Sequence, residues 1–69
     1  MDFKKGTYLH YKKNEYLVIA EVTHTETSEN MVLYHPVGKP DCLYVRPYKM
    51  FFGMVIKDQK EIPRFKLIS

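Results

Sequence analysis

The densest chemistry in this 69-residue chain is the run His24-Thr25-Glu26-Thr27-Ser28-Glu29. An imidazole and two carboxylates stand within six residues, beside three hydroxyls. Read as a site, His24 would act as a base or ligand, with Glu26 or Glu29 orienting it or holding a cation. Read as a turn, the same groups would cap exposed backbone N–H groups, and Thr23-x-x-Glu26 has the spacing of a capping box. The segment leaves both readings open. His10, His24 and Glu26 would complete a two-histidine, one-carboxylate metal set, but no spacing enforces it, and neither a metal nor another cofactor is expected.

Tyr44 and Arg46 form a second constellation. Two apart on a strand, they share a face, which leaves Leu43 and Val45 as the core pair. An aromatic plate beside a guanidinium suits stacking on a planar group and contact with a phosphate or carboxylate. The alternative is an Arg46 that lies over Tyr44 and pairs with a nearby glutamate. Arg64 beside Phe65 repeats the pattern. His10 and Tyr11 are expected on opposite faces of the first strand, and a lone strand histidine is commonly a hydrogen-bonded structural residue. Cys42 begins a strand with no glycine turn or helix N-terminus to lower its pKa, and reads as a small apolar filler. Lys4, Lys5, Lys12 and Lys13 read as a solvated rim able to attract phosphates. The candidate ligand-binding set is therefore His10, His24, Glu26, Glu29, Tyr44 and Arg46. No catalytic residue is assigned. The chain has no glycine-rich phosphate loop, no His-Glu-x-x-His and no Ser-His-Asp order.

These residues must be positioned by strands. Tyr8 to Tyr11 reads as a short first strand, followed by the polar turn Lys12 to Glu15. Tyr16 to His24 is the longest strand. Its period-two alternation puts Tyr16, Val18, Ala20 and Val22 on the core face and Leu17, Ile19, Glu21 and Thr23 on the other. Met31 to His35 is the third strand. Leu43 to Arg46 is the fourth, stopped by Pro47, which has no N–H to donate. Tyr48 to Gly53 is one helical or 3₁₀ turn whose Met50, Phe51 and Phe52 would plug the core. Met54 to Lys57 and Ile62 to Lys66 form a final hairpin around Asp58-Gln59-Lys60. Five or six short antiparallel strands with no long amphipathic helix favour an all-β fold, a small SH3-like barrel first and an OB-like or open roll second.

Four blocks in order carry a resemblance. They are Gly6-Thr7-Tyr8-Leu9-His10-Tyr11-Lys12, His24-Thr25-Glu26-Thr27-Ser28-Glu29, Val45-Arg46-Pro47 with Met50-Phe51, and Pro63-Arg64-Phe65. Together they resemble the bacterial family catalogued as domain of unknown function 1653. The resemblance implies a small SH3-type barrel and no assigned activity. Two positions depart from the family pattern. Tyr44 stands where a tryptophan is usual, keeping the aromatic plate and adding a hydroxyl. Lys13 stands where a glycine is usual, so a tight glycine turn is not expected there.

Size and composition set the outer limits. A chain of 69 residues is expected to form one domain, residues 1–69, with a thin core. Six tyrosines and four phenylalanines can hold such a core together. The single cysteine excludes an internal disulfide and a cysteine-rich zinc site. The N-terminus lacks the apolar stretch of a signal peptide and no segment reaches the length of a membrane span, so a cytoplasmic location is expected. Eleven basic against eight acidic side chains, a formal +3, permit an anionic partner without demanding one.

Three classes of function follow. A binding module would take a nucleotide, a nucleic acid, another planar or anionic ligand, or a protein segment in a polar-aromatic groove, and this reading is favoured over an enzyme. A small hydrolase-like enzyme would use His24 as general base with Glu26, although a barrel this small rarely holds a pocket of about 300 Å³ or more. A structural adaptor would expose an apolar patch of Phe3, Tyr48 and Phe52 to a partner.

Overall fold

Alternating side chains and regularly spaced turn residues resolve into strands, each paired antiparallel to its neighbours. The computed structural model describes residues 4–69, so Phe3 lies outside the described residues. In chain order the elements are β1 (Gly6–His10), β2 (Glu15–Thr23), β3 (Asn30–Pro36), β4 (Tyr44–Pro47), α1 (Tyr48–Phe51), β5 (Met54–Lys57), β6 (Lys60–Pro63) and β7 (Phe65–Leu67). A five-stranded sheet has the order β4-β3-β2-β1-β7, and β5 with β6 forms a separate two-stranded ribbon. The protein is a small all-β domain with one short helix. Its meander β1 to β4, helical turn and return strand beside β1 are compatible with the SH3-like arrangement.

The strands number seven among the described residues rather than five or six. The extra one comes from Pro63-Arg64. The stretch expected as one strand, Ile62 to Lys66, breaks there. Lys60–Pro63 stays with β5, while Phe65–Leu67 crosses to β1 and pairs Phe65 with His10. Arg64 makes the crossing, donating its N–H to Gly53 O at 3.0 Å and accepting the Tyr11 N–H at 2.9 Å.

A β-bulge between Val18 and Ala20 corrects the face assignment of β2. Before it, Val18 opposes Tyr34. After it, Ala20 opposes Leu33 and Glu21 opposes Val32. One extra residue shifts the alternation by one, so Glu21 takes the inner face beside buried Val32. Ala20 and Val22 leave that face.

The core is Tyr8, Val18, Val32, Tyr34, Phe51 and Phe65, with Tyr16, Tyr48 and Phe52 packed against it. Phe51 and Phe65 stack with ring centroids 3.9 Å apart and planes 3° from parallel. Of the three residues expected to plug the core from α1, Phe51 is fully buried and Phe52 half-buried, whereas Met50 is exposed. The sheet also needs a glycine at its margin. Gly6 has φ +145°, and a Cβ there would stand 3.1 Å from the Ser69 backbone and 3.3 Å from Leu67.

Candidate ligand-binding site

The inner face of the sheet ends in a concave site of about 520 Å³. Its floor is Phe65, buried and stacked on Phe51, and three tyrosines, Tyr16, Tyr34 and Tyr44, wall it edge-on. Tyr34 meets Tyr16 at 5.5 Å, Tyr44 at 5.7 Å and Phe65 at 5.8 Å between centroids, all near perpendicular. Such edge-to-face contacts are the preferred geometry of aromatic pairs and leave ring faces open to the space between them. Strand register dictates the gathering. Tyr44 opposes Tyr34 across β3 and β4, Arg46 opposes Val32, and His10 opposes Phe65 across β1 and β7.

Two polar groups complete the lining. Arg46, half-buried, donates from Nε to the Tyr34 hydroxyl at 3.2 Å, and its Cζ lies 6.0 Å from the Phe65 ring centroid. The guanidinium is thus held over the floor by Tyr34 and Phe65, not laid over Tyr44. His10 meets Phe65 edge-on at 4.8 Å, and its Nδ1 accepts the Lys12 N–H at 3.1 Å. An occupied Nδ1 puts the proton of the neutral ring on Nε2, which remains a donor. Burial, then the positive charges of Arg46, Arg64 and Lys12, hold the His10 pKa below its ordinary value. Among the described residues, no acidic side chain lines the space. Hydrogen-bond donors on an aromatic floor, under positive potential, can hold a planar group by its faces and an anionic group by its oxygens.

The face assignment of β4 is the reverse of the expected one. Tyr44 and Arg46 point into the concavity, whereas Leu43 and Val45 are 56% and 55% exposed and form its rim. The strand β4 starts only at Tyr44, so Leu43 belongs to the loop before it. Cys42 lies in that same loop, exposed, and fills no part of the core.

Of the six candidate residues, His10, Tyr44 and Arg46 come together in this space, while His24, Glu26 and Glu29 do not. The latter three occupy the turn between β2 and β3, at the far end of a strand that spans about 26 Å at ~3.3 Å per residue. There the His24 Nδ1 accepts the Glu26 N–H at 3.2 Å, and the Thr27 hydroxyl accepts the Glu29 N–H at 3.2 Å. All three side chains are exposed. No helix follows, so Thr23 and Glu26 form no capping box. Among the described residues, no group of three or more His, Cys, Asp or Glu side chains is placed to hold a metal ion. The rings of Tyr48 and Phe52 pack 4.7 Å apart between centroids, both against the core.

The turn beside the cavity differs from expectation as well. The chain makes a tight turn at Lys13 without glycine. The Lys13 N–H donates to His10 O at 2.7 Å, and Lys13 itself takes φ 80°. Tyr11 lies past the end of β1, so its ring sits against that of His10, centroids 4.5 Å apart, rather than on the opposite face. Sequence reasoning passed over Tyr16 and Tyr34. Their signal was present as tyrosines on neighbouring strands, but only the pairing register aligns them with Tyr44.

The comparisons agree with this architecture. The sequence profile of the family described as protein of unknown function (DUF1653) matches residues 6–67. A crystal structure of a family protein from Bordetella bronchiseptica is similar at 28% identity and a TM-score of 0.86, covering 97% of this chain and 88% of that one. No curated protein matches the chain. With the family profile running through all seven strands, the chain belongs to the DUF1653 family.

Proposed function

We propose that this domain is a binding module for a planar, anionic ligand of the nucleotide class. The observation that carries the reading is the concave space in which His10, Tyr16, Tyr34, Tyr44, Arg46 and Phe65 converge without a carboxylate. Its volume of about 520 Å³ falls within the ~300–1,000 Å³ common for small-molecule sites. A base or similar ring enters between the tyrosine edges and the Phe65 floor. The anionic group meets the Arg46 guanidinium, with the His10 Nε2–H as a second donor.

The cluster around His24 supports no second reading. The His24 Nδ1 and the Thr27 hydroxyl are occupied by backbone N–H groups of their own turn, and its carboxylates are exposed.

The test is a titration of the domain with a nucleoside monophosphate, followed by NMR and calorimetry. Shifts should centre on Tyr44, Arg46 and His10. Arg46→Ala should weaken binding about 10-fold or more, the scale of one lost charged hydrogen bond, and His24→Ala should leave it unchanged. Absence of binding by a panel of nucleoside mono- and diphosphates would remove the proposal, as would equal losses from both variants.

A further inference from the structure

The proposed site is not isolated on the surface. Two further depressions adjoin it, and both are lined by lysines. One, of about 560 Å³, shares Tyr16 with the site and adds Lys13 and Lys39. The other, of about 270 Å³, shares His10 and adds Lys13, Lys57 and Lys66. Lys13 belongs to both, so the two depressions and the cavity form one track around the β1–β2 turn. Arg64 adds positive charge near His10. Its Nε is buried without an acceptor among the described residues, and its positive charge is felt at His10. Five cationic side chains therefore line the track, against one carboxylate, Glu15. The excess is local, because the whole chain carries only a formal +3.

A mononucleotide leaves most of this charge unused. Its single phosphate is met by Arg46 and His10, and the four lysines line only the flanking depressions. Repeated cations on either side of an aromatic slot match a ligand with repeated anions on either side of a planar ring. Resting on the nucleotide reading above, we infer that the ligand is a single-stranded nucleic acid. One base occupies the slot of Tyr44, Tyr34 and Phe65, and the flanking phosphates run past Lys13 towards Lys39 on one side and towards Lys57 and Lys66 on the other. A duplex presents its bases already stacked and paired, which leaves none for the slot.

The experiment measures fluorescence anisotropy of labelled single strands of about eight nucleotides, as RNA and as DNA, over a series of salt concentrations. Each phosphate contacted by a cation contributes about −0.7 to the slope of log affinity against log salt. A slope of about −2 or steeper is expected for the oligonucleotide, and about −0.7 for a nucleoside monophosphate competed against it. The exposed double variant Lys13→Gln, Lys39→Gln should flatten the oligonucleotide slope by about 1.4 and leave monophosphate affinity unchanged. Tyr44→Ala should weaken both ligands. If the oligonucleotide binds no better than the monophosphate, with the same shallow slope, the track is not a nucleic-acid path and only the nucleotide reading stands. If neither binds, both fall. If an acidic peptide competes as well as the oligonucleotide and Tyr44→Ala makes no difference, the surface is a general anion patch and the inference is overturned. A difference between RNA and DNA strands would assign the natural source of the ligand within the same inference.

Discussion

The two turns that flank β2 are built alike and end up in different chemistry. Each begins with a histidine whose Nδ1 accepts the backbone N–H two residues on, from Lys12 in one and Glu26 in the other. Each also holds a non-glycine residue in the left-handed region, Lys13 at φ 80° and Ser28 at φ 61°. Yet His10 sits half-buried against Phe65 with two arginines in its field, and His24 sits exposed between glutamates. The local backbone is nearly the same device. What differs is what the neighbouring strands bring to it. Beside His10 they bring Phe65, Tyr34, Tyr44 and Arg46 from three other strands, whereas the turn at His24 is closed by hydrogen bonds between its own residues. A run of reactive side chains in sequence makes a turn. Convergence across strands makes a cavity.

The comparison breaks most sharply at Phe65. Phe65→Ala removes the floor of the His10 end and half of the Phe51 stack. It should cost about 3–5 kcal/mol, comparable to the whole stability of a domain this small. Thr27→Ala, which removes the hydroxyl cap at the other turn, should cost at most about 1 kcal/mol because the freed N–H meets water. Urea unfolding of the two variants measures both, and equal costs would mean that the aromatic floor is not what sets the ends apart.

The likeness of the two backbones can be tested separately. Lys13→Gly and Ser28→Gly each relieve a left-handed residue and should each stabilise by about 0.5–1 kcal/mol, several degrees in Tm. A gain at one turn and a loss at the other would show that the left-handed residues do different jobs.

The smallest effect is electrostatic. The folded-state pKa of His10 is lowered, so the folded chain takes up this proton at lower pH than the unfolded chain does. The stability associated with His10 is fully present above its unfolded pKa of about 6.5 and is lost as pH falls from there to the lower folded value. His10→Gln should flatten this part of the pH–stability profile. Nucleotide binding should raise the His10 pKa, because an anion offsets the arginine field, and ring-proton NMR titration with and without ligand would reveal it. An unchanged pKa on saturation would place the phosphate elsewhere.

Much of the fold was legible because alternation and turn residues mark strands directly. The strand cores of β1 to β5 and the helical turn at Tyr48 follow from that pattern. Two of the misreadings share one physical origin, the local loss of period two. The bulge at Ile19 moved Glu21 inwards, and Pro63-Arg64 divided the last strand. Leu43 and Val45 looked like core residues by hydrophobicity. The register of β4 against β3, which a single strand does not encode, turned Tyr44 and Arg46 inwards instead. The site was half legible for the same reason. Tyr44 and Arg46 share a face in any strand, but His10 joins them only through the β1–β7 pairing with Phe65, more than fifty residues away in sequence.

The irregularity at Ile19 also divides β2 into two independently editable halves. Ile19 is the surplus residue of the pairing, so losing it would regularise the strand with no change of phase downstream. Ala20 would still oppose Leu33 and Glu21 would still oppose Val32, while Tyr16 and Val18 kept their places. The loss of that one residue would therefore be absorbed without reaching the aromatic chamber at the other end of the strand.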